Sequence, residues 1–189
     1  MADDTFANWE KFLNPDKLKT NLIQASLYLA AYEIFKNGMI DKLRDFYAHQ
    51  WRPDATGEVR SVISEAYKKE VIALYPKDEL HACCLWFASS GAIEQNDLNQ
   101  IEKIRKHRNS IAHELPKYVS SADRSIDLSS LFSLIGLVKK IDLWWLKEVD
   151  LPTDPDYTPE DITSIDWNKV IGLRTLSLHT IDAECTGRR

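Results

Sequence analysis

Along residues 97–115 the apolar side chains Leu98, Ile101, Ile104, Ile111 and Leu115 recur three or four apart, except at one place. This is the period of a helix with one face against a core. The gap falls at position 108, where an arginine interrupts the seam. A guanidinium among apolar neighbours is costly unless something pairs with it. Asn96 is the expected N-cap, and Asp97 adds negative charge to the first turn. Pro116 disfavours the helical conformation at Leu115, so the helix should stop or kink there. His113 then falls in the last turn, one turn after Asn109 and on the same face.

The remainder of the chain reads as more helices. Asn14 and Pro15 form a cap and first position, and Leu18, Leu22, Ala25, Leu29 and Tyr32 mark one face. Ile23, Leu27, Ala30 and Ile34 mark a second face, which predicts a central helix. Asn37-Gly38 predicts its end. A shorter helix follows over residues 39–51, a loop over 52–57, then helices over 58–75 and 78–93. Beyond the organising helix and a connector at 117–122, a long helix is expected over 123–149. Pro152, Pro155 and Pro159 with three aspartates mark a linker at 150–159. Thr158-Pro159-Glu160-Asp161 resembles a helix start, opening a helical appendage and tail over 160–189. No segment reads convincingly as β. Only 6 Gly and 7 Pro in 189 residues suit helices, and a chain of this length can bury one sizeable core.

The segment Arg108-Asn109-Ser110-Ile111-Ala112-His113 resembles the signature of the HEPN superfamily. In that signature an arginine, a polar residue, three further residues and a histidine lie late in a helix of a small α-bundle. The strict motif covers six residues, and the supporting run of helical patterns covers roughly residues 15–149. The resemblance implies an all-α fold: a HEPN-like up-and-down helical bundle over residues 1–149 with additional helices, one globular domain overall. It also implies a homodimer through the helix at 97–115, with the two motif helices meeting at the two-fold axis. Many HEPN proteins are metal-independent endoribonucleases, and small stand-alone members often act as toxins or in defence against phage. Other members are inactive and bind RNA, nucleotides or partner proteins.

The residues suit that chemistry. His113 can move a proton as general base or acid. Arg108 can stabilise charge on phosphoryl oxygens through its planar fork. Asn109 can orient the phosphate or the histidine. The nucleophile is the 2′-hydroxyl of the RNA, so DNA should be spared, and no cofactor or metal is called for. Lys103, Arg105, Lys106 and His107 are candidate RNA contacts, against the alternative of a solvated face with a Glu102–Lys106 pair. Arg108 and His113 are separated by about 140° around one helix and about 7.5 Å along it. A second copy of the helix is one way to bring such a pair together.

Other readings stay open. Arg108 bonded to an internal carboxylate, with His113 capping carbonyls, would be purely structural, and in a monomer that pairing weakens the ribonuclease case. A non-catalytic module binding RNA, nucleotide or a partner protein is the alternative. A helical interaction protein unrelated to nucleic acid is a third. A protein that coats nucleic acid is normally basic, so the net charge of −5 counts against the RNA reading, and any RNA contact must be local to residues 103–108. Zinc at His81, Cys83, Cys84 and His107 is disfavoured, because adjacent cysteines rarely ligate one tetrahedral ion. Trp144-Trp145 could stack on bases, but aromatics at such positions are more often core. No apolar stretch is long enough to span a membrane. The N-terminus lacks a leader pattern, and three cysteines make no disulfide framework, so a reducing cytoplasm is expected. An antitoxin or other partner protein is a further expectation of the resemblance.

Overall fold

The computed structural model describes residues 10–170, Thr175 and Leu178. The described residues are all-α apart from one small hairpin, and none of their helices is long and apolar enough to cross a membrane. Helix α1 is Pro15–Phe46, followed by strands β1 (Trp51–Pro53) and β2 (Val59–Ser61). Then come α2 (Glu65–Glu70), α3 (Glu79–Ser89), α4 (Gln95–Ser120) and α5 (Leu128–Trp145). Two short helices follow, α6 (Leu151–Thr153) and α7 (Pro159–Ser164). Two compact units arise from this order: the residues up to Glu33 together with Asn99 onward, and Ile34–Leu98. Their boundaries fall inside α1 and α4.

In the first unit α1 starts where the sequence places it. The Asn14 side chain accepts from the amides of Asp16 (3.0 Å) and Lys17 (3.1 Å), and Pro15 occupies the first turn, where no amide proton is needed. The buried stripe is Ala25, Tyr28 and Tyr32, with Ala31 beside it. The second apolar face expected for a central helix is not buried: Ile23 is 40% exposed and Ala30 is exposed as well. Ile101, Ile104, Ile111, Tyr118 and Val119 of α4 are buried in the same unit, with Leu131, Leu134, Val138 and Ile141 of α5.

Helix α4 differs from expectation at both ends. Its N-terminus is stapled by Asp97, whose carboxylate accepts the Glu94 amide at 2.8 Å, so the cap is Glu94 rather than Asn96. Near Pro116 the helix breaks at Glu114 (φ −120°, ψ 25°) and then resumes to Ser120. Proline cannot donate and its ring crowds the carbonyl four residues back, which accounts for the break. Burial of Tyr118 and Val119 accounts for the resumption. Helix α5 starts at Leu128, later than residue 123, because the Asp127 carboxylate accepts the amides of Ser129 (3.0 Å) and Ser130 (3.3 Å). Its last turn relaxes into a wider π-type turn, Leu146–Asp150, where Asp150 accepts the Trp145 indole N–H at 2.9 Å. Thr158 and Asp161 complete a reciprocal capping box at α7, at the helix start expected from the sequence. Helix α7 itself ends at Ser164, and the tail 186–189 lies outside the described residues.

The second unit corrects three expectations. The first helix does not end at Asn37-Gly38, and no separate helix starts at Met39. The buried residues Phe35, Met39 and Leu43 continue the three-and-four spacing across Gly38. Each such side chain contributes roughly 1.5–3 kcal/mol on burial, against about 1 kcal/mol for a glycine inside a helix, so the helix continues. Residues 51–61 form a hairpin instead of a loop running into a helix at 58, with Trp51 opposite Ser61 and Pro53 opposite Val59. Its turn is held by the Asp54 carboxylate, which accepts from the amide (2.8 Å) and hydroxyl (2.6 Å) of Thr56, and by Gly57 at φ +86°. The helix expected over 58–75 is therefore only Glu65–Glu70 with a 3₁₀ turn at Ile72–Leu74, and Ser64 caps it by accepting the Tyr67 amide at 3.0 Å. Within this unit Arg44 grips Glu79 through Nε (2.9 Å) and Nη2 (2.8 Å), and the buried Tyr67 hydroxyl donates to the same carboxylate at 2.8 Å.

The buried position of Ile104 and the exposed position of Lys103 give a direct check of the α4 register. Ile104→Ala should cost about 2–5 kcal/mol of stability, and Lys103→Ala no more than about 0.5 kcal/mol, read by urea denaturation. Equal effects would contradict the assigned face.

Candidate functional site

Arg108 sits at the break in the α4 seam and is half-buried, 30% exposed at its side chain. Its Nη2 donates to Glu33 Oε1 of α1 at 2.6 Å, across 75 residues of sequence. The guanidinium carbon lies 5.5 Å from the centroid of the Tyr32 ring, the residue before Glu33. Nη1 makes a longer contact to the Asn109 side-chain oxygen at 3.3 Å. The Nε–H is buried and has no hydrogen-bond partner among the described residues. The arginine is thus held by an acid and an aromatic face, with part of its donor set uncommitted. Since Glu33 is itself 37% exposed, solvent screens the pair, and it contributes on the order of 1 kcal/mol.

The other motif positions divide between core and surface. Ile111 is fully buried, and Ser110 accepts a hydrogen bond from the Tyr118 hydroxyl at 2.9 Å. Asn109, Ala112 and His113 are exposed. Asn109 and His113 lie one turn apart on one face, immediately before the break at Glu114. The Glu114 carboxylate is engaged by Lys117 at 2.6 Å and Arg124 at 3.5 Å, and the Lys117 contact holds it below the usual carboxylate range. His113 makes no hydrogen bond or ion pair among the described residues, so it does not cap a carbonyl there.

The basic residues before the motif are not equivalent. Lys103 and Lys106 are exposed, and Lys106 makes only a loose 3.8 Å pair with Glu102. Arg105 is half-buried. His107 is occupied inside the fold: its Nε2 accepts the Asp127 amide at 3.0 Å, so the ring is neutral with its proton on Nδ1. Its ring stands edge-on to Tyr28 (5.1 Å) and Tyr118 (5.8 Å). It therefore braces the start of α5. Trp145 is buried, and its ring meets Trp144 at 6.2 Å. Cys83 and Cys84 are buried and unbridged, and burial pushes the Cys83 thiol up to about 11. No three His, Cys, Asp or Glu side chains cluster as metal ligands among the described residues.

Glu33 and Tyr32 are the site residues that the sequence reading missed. The available signal was indirect: an arginine in an apolar seam calls for a carboxylate, and Glu33 directly follows an aromatic residue of the α1 stripe. Nothing in the sequence distinguishes it from the other acids among the chain's 29. The chain matches no protein-family model, no curated protein and no solved structure.

Burial lowers the proton affinity of His107, and the Asp127 carboxylate opposes this only in part. In the unfolded chain the imidazole protonates at about pH 6.5; in the folded protein it does so at lower pH. The folded state is therefore favoured above the unfolded value and loses that contribution as pH falls through it. Wild type should lose more stability between pH 7.5 and 5.5 than His107→Gln, which keeps an acceptor but does not titrate. Equal losses of unfolding free energy in the two proteins, read by denaturant titration at the two pH values, would contradict this assignment.

Proposed function

We propose that this chain is a HEPN-type, metal-independent endoribonuclease working as a homodimer through the Arg108–His113 part of α4. The observation that carries the reading is the exposed Asn109–His113 pair on one face, directly beside an arginine whose side chain stays 30% exposed. The 2′-hydroxyl oxygen of RNA attacks the adjacent phosphorus, and the bond from phosphorus to the 5′-oxygen breaks. The histidine is suited to take the proton from the attacking hydroxyl or to give one to the leaving oxygen. Arg108 stabilises the extra charge on the phosphoryl oxygens, and Asn109 orients the phosphate. The products are a 2′,3′-cyclic phosphate and a 5′-hydroxyl. Lys103 and Lys106 supply local attraction for the strand, with Arg105 beside them. Action as a toxin or anti-phage effector in the cytoplasm, held in check by an antitoxin, is the biological setting this reading suggests.

A second reading is favoured by the Arg108–Glu33 pair. An arginine already neutralised by an internal carboxylate suits a non-catalytic helical module that binds RNA, nucleotide or a partner protein.

One assay separates the two. The purified protein should cleave single-stranded RNA in EDTA and leave DNA intact. Arg108→Ala and His113→Ala should each slow cleavage by about 100-fold or more, with circular dichroism unchanged. RNA bound without cleavage supports the binding module, and cleavage that requires added magnesium contradicts the ribonuclease reading.

A further inference from the structure

The acid that holds Arg108 is bound in an unusual way for a permanent structural pair. An arginine fork engages a carboxylate most strongly through two parallel N–H donors. In the second unit Arg44 does this, giving Nε and Nη2 to Glu79 at 2.9 and 2.8 Å. Arg108 gives Glu33 only Nη2, and its Nε–H stays buried without a partner among the described residues. Leaving that donor unsatisfied is unfavourable, and it offsets much or all of what a half-exposed pair contributes. Pure stabilisation would be served better by a full fork or by an aliphatic residue completing the seam. The cradle does something else well. The guanidinium carbon lies over the Tyr32 ring, 5.5 Å from its centroid, Glu33 fixes one end and the Asn109 oxygen approaches the other at 3.3 Å. Three neighbours thus fix the orientation of a group that remains 30% exposed.

Resting on the ribonuclease reading, we infer that Glu33 is a positioning residue that aims Arg108 at the scissile phosphate, at the expense of its attraction for RNA. The carboxylate offsets part of the guanidinium's charge, so it weakens the hold on a phosphate. It also restricts the guanidinium to one orientation, so its exposed part is set for the phosphoryl oxygens before substrate arrives. Orientation of this kind acts on the chemical step, where a displacement of about 1 Å in a catalytic group can reduce the rate about 100-fold. Removal of Glu33 should therefore move binding and catalysis in opposite directions. A residue that only supports the fold would move them together or not at all.

The test uses the full-length chain and a short single-stranded RNA. Affinity is measured with a 2′-deoxy substitution at the cleavage site, and single-turnover cleavage with the all-ribose strand. Glu33→Ala should bind as tightly as wild type or more tightly, and should cleave about 10- to 100-fold more slowly. Glu33→Gln keeps a neutral acceptor for Nη2 and should fall between them in rate; it also carries the test if the alanine variant does not fold. Exchanging the pair, Glu33→Arg with Arg108→Glu, should recover thermal stability but not cleavage. Unchanged cleavage in Glu33→Ala would overturn the inference and leave the ribonuclease reading standing, as would a parallel loss of binding and cleavage. A wild-type protein that cleaves no RNA would overturn both.

Discussion

A guanidinium in an apolar seam has to be answered locally, and in this protein the answer is Glu33 at 2.6 Å with Tyr32 beside it. A half-buried charge is less costly when paired, and the Arg108 contact links α4 to α1 in their shared unit. Around it the α1 residues Ala25, Tyr28 and Tyr32 and the α4 residues Ile104 and Ile111 are buried. His107, one position earlier, bridges Tyr28 and Tyr118 to the first turn of α5 by accepting the Asp127 amide. Two adjacent residues of α4 thus connect three helices, one through a charge pair and one through a neutral imidazole. Beyond them the chain turns its remaining polar motif groups, Asn109 and His113, outward.

That division gives the proposed site its physical logic. The residue that must be oriented is held from inside, and the groups that must meet a strand are left to solvent. Neither a net charge of −5 nor the half-buried Glu102 and Glu33 favour broad nucleic-acid binding. The proposed contact is correspondingly narrow, relying on Lys103 and Lys106 for attraction and on Arg108 for directed hydrogen bonds. The same Arg108–Glu33 pair is also what the binding-only reading uses, and the two readings differ in whether the exposed part of the guanidinium acts on a reacting phosphate.

Capping chemistry was legible at two helix starts and misleading at Asn96 and at Asn37-Gly38. Asn14-Pro15 and Thr158-Pro159-Glu160-Asp161 start helices as read, because a side-chain acceptor and a fixed proline φ act over three or four residues. The inward face of α4 was legible as well: Ile101, Ile104 and Ile111 are all buried. Failures came where a nonlocal term outweighed a local one. Gly38 looked like a stop, but the buried stripe Phe35, Met39, Leu43 carries the helix through it. The hairpin went unseen because its strands are three residues long, too short for a period of two to register, although Asp54 to Gly57 is a recognisable turn. At the candidate site the motif positions were visible, but the tertiary partners Glu33 for Arg108 and Asp127 for His107 were not. His107, read as a candidate RNA contact, is occupied for that reason.

The central claim is that Arg108 and His113 act as two parts of one site shared between two chains, since about 140° of helix separates them within one. Chains carrying Arg108→Ala and His113→Ala, bearing different tags, can be co-expressed and the mixed dimer purified through both tags, with crosslinking to verify the exchange. The account predicts that each parent homodimer is inactive and that the mixed dimer regains a measurable part of the wild-type cleavage of RNA in EDTA, because one site across the interface is intact. A verified mixed dimer no more active than either parent would contradict it.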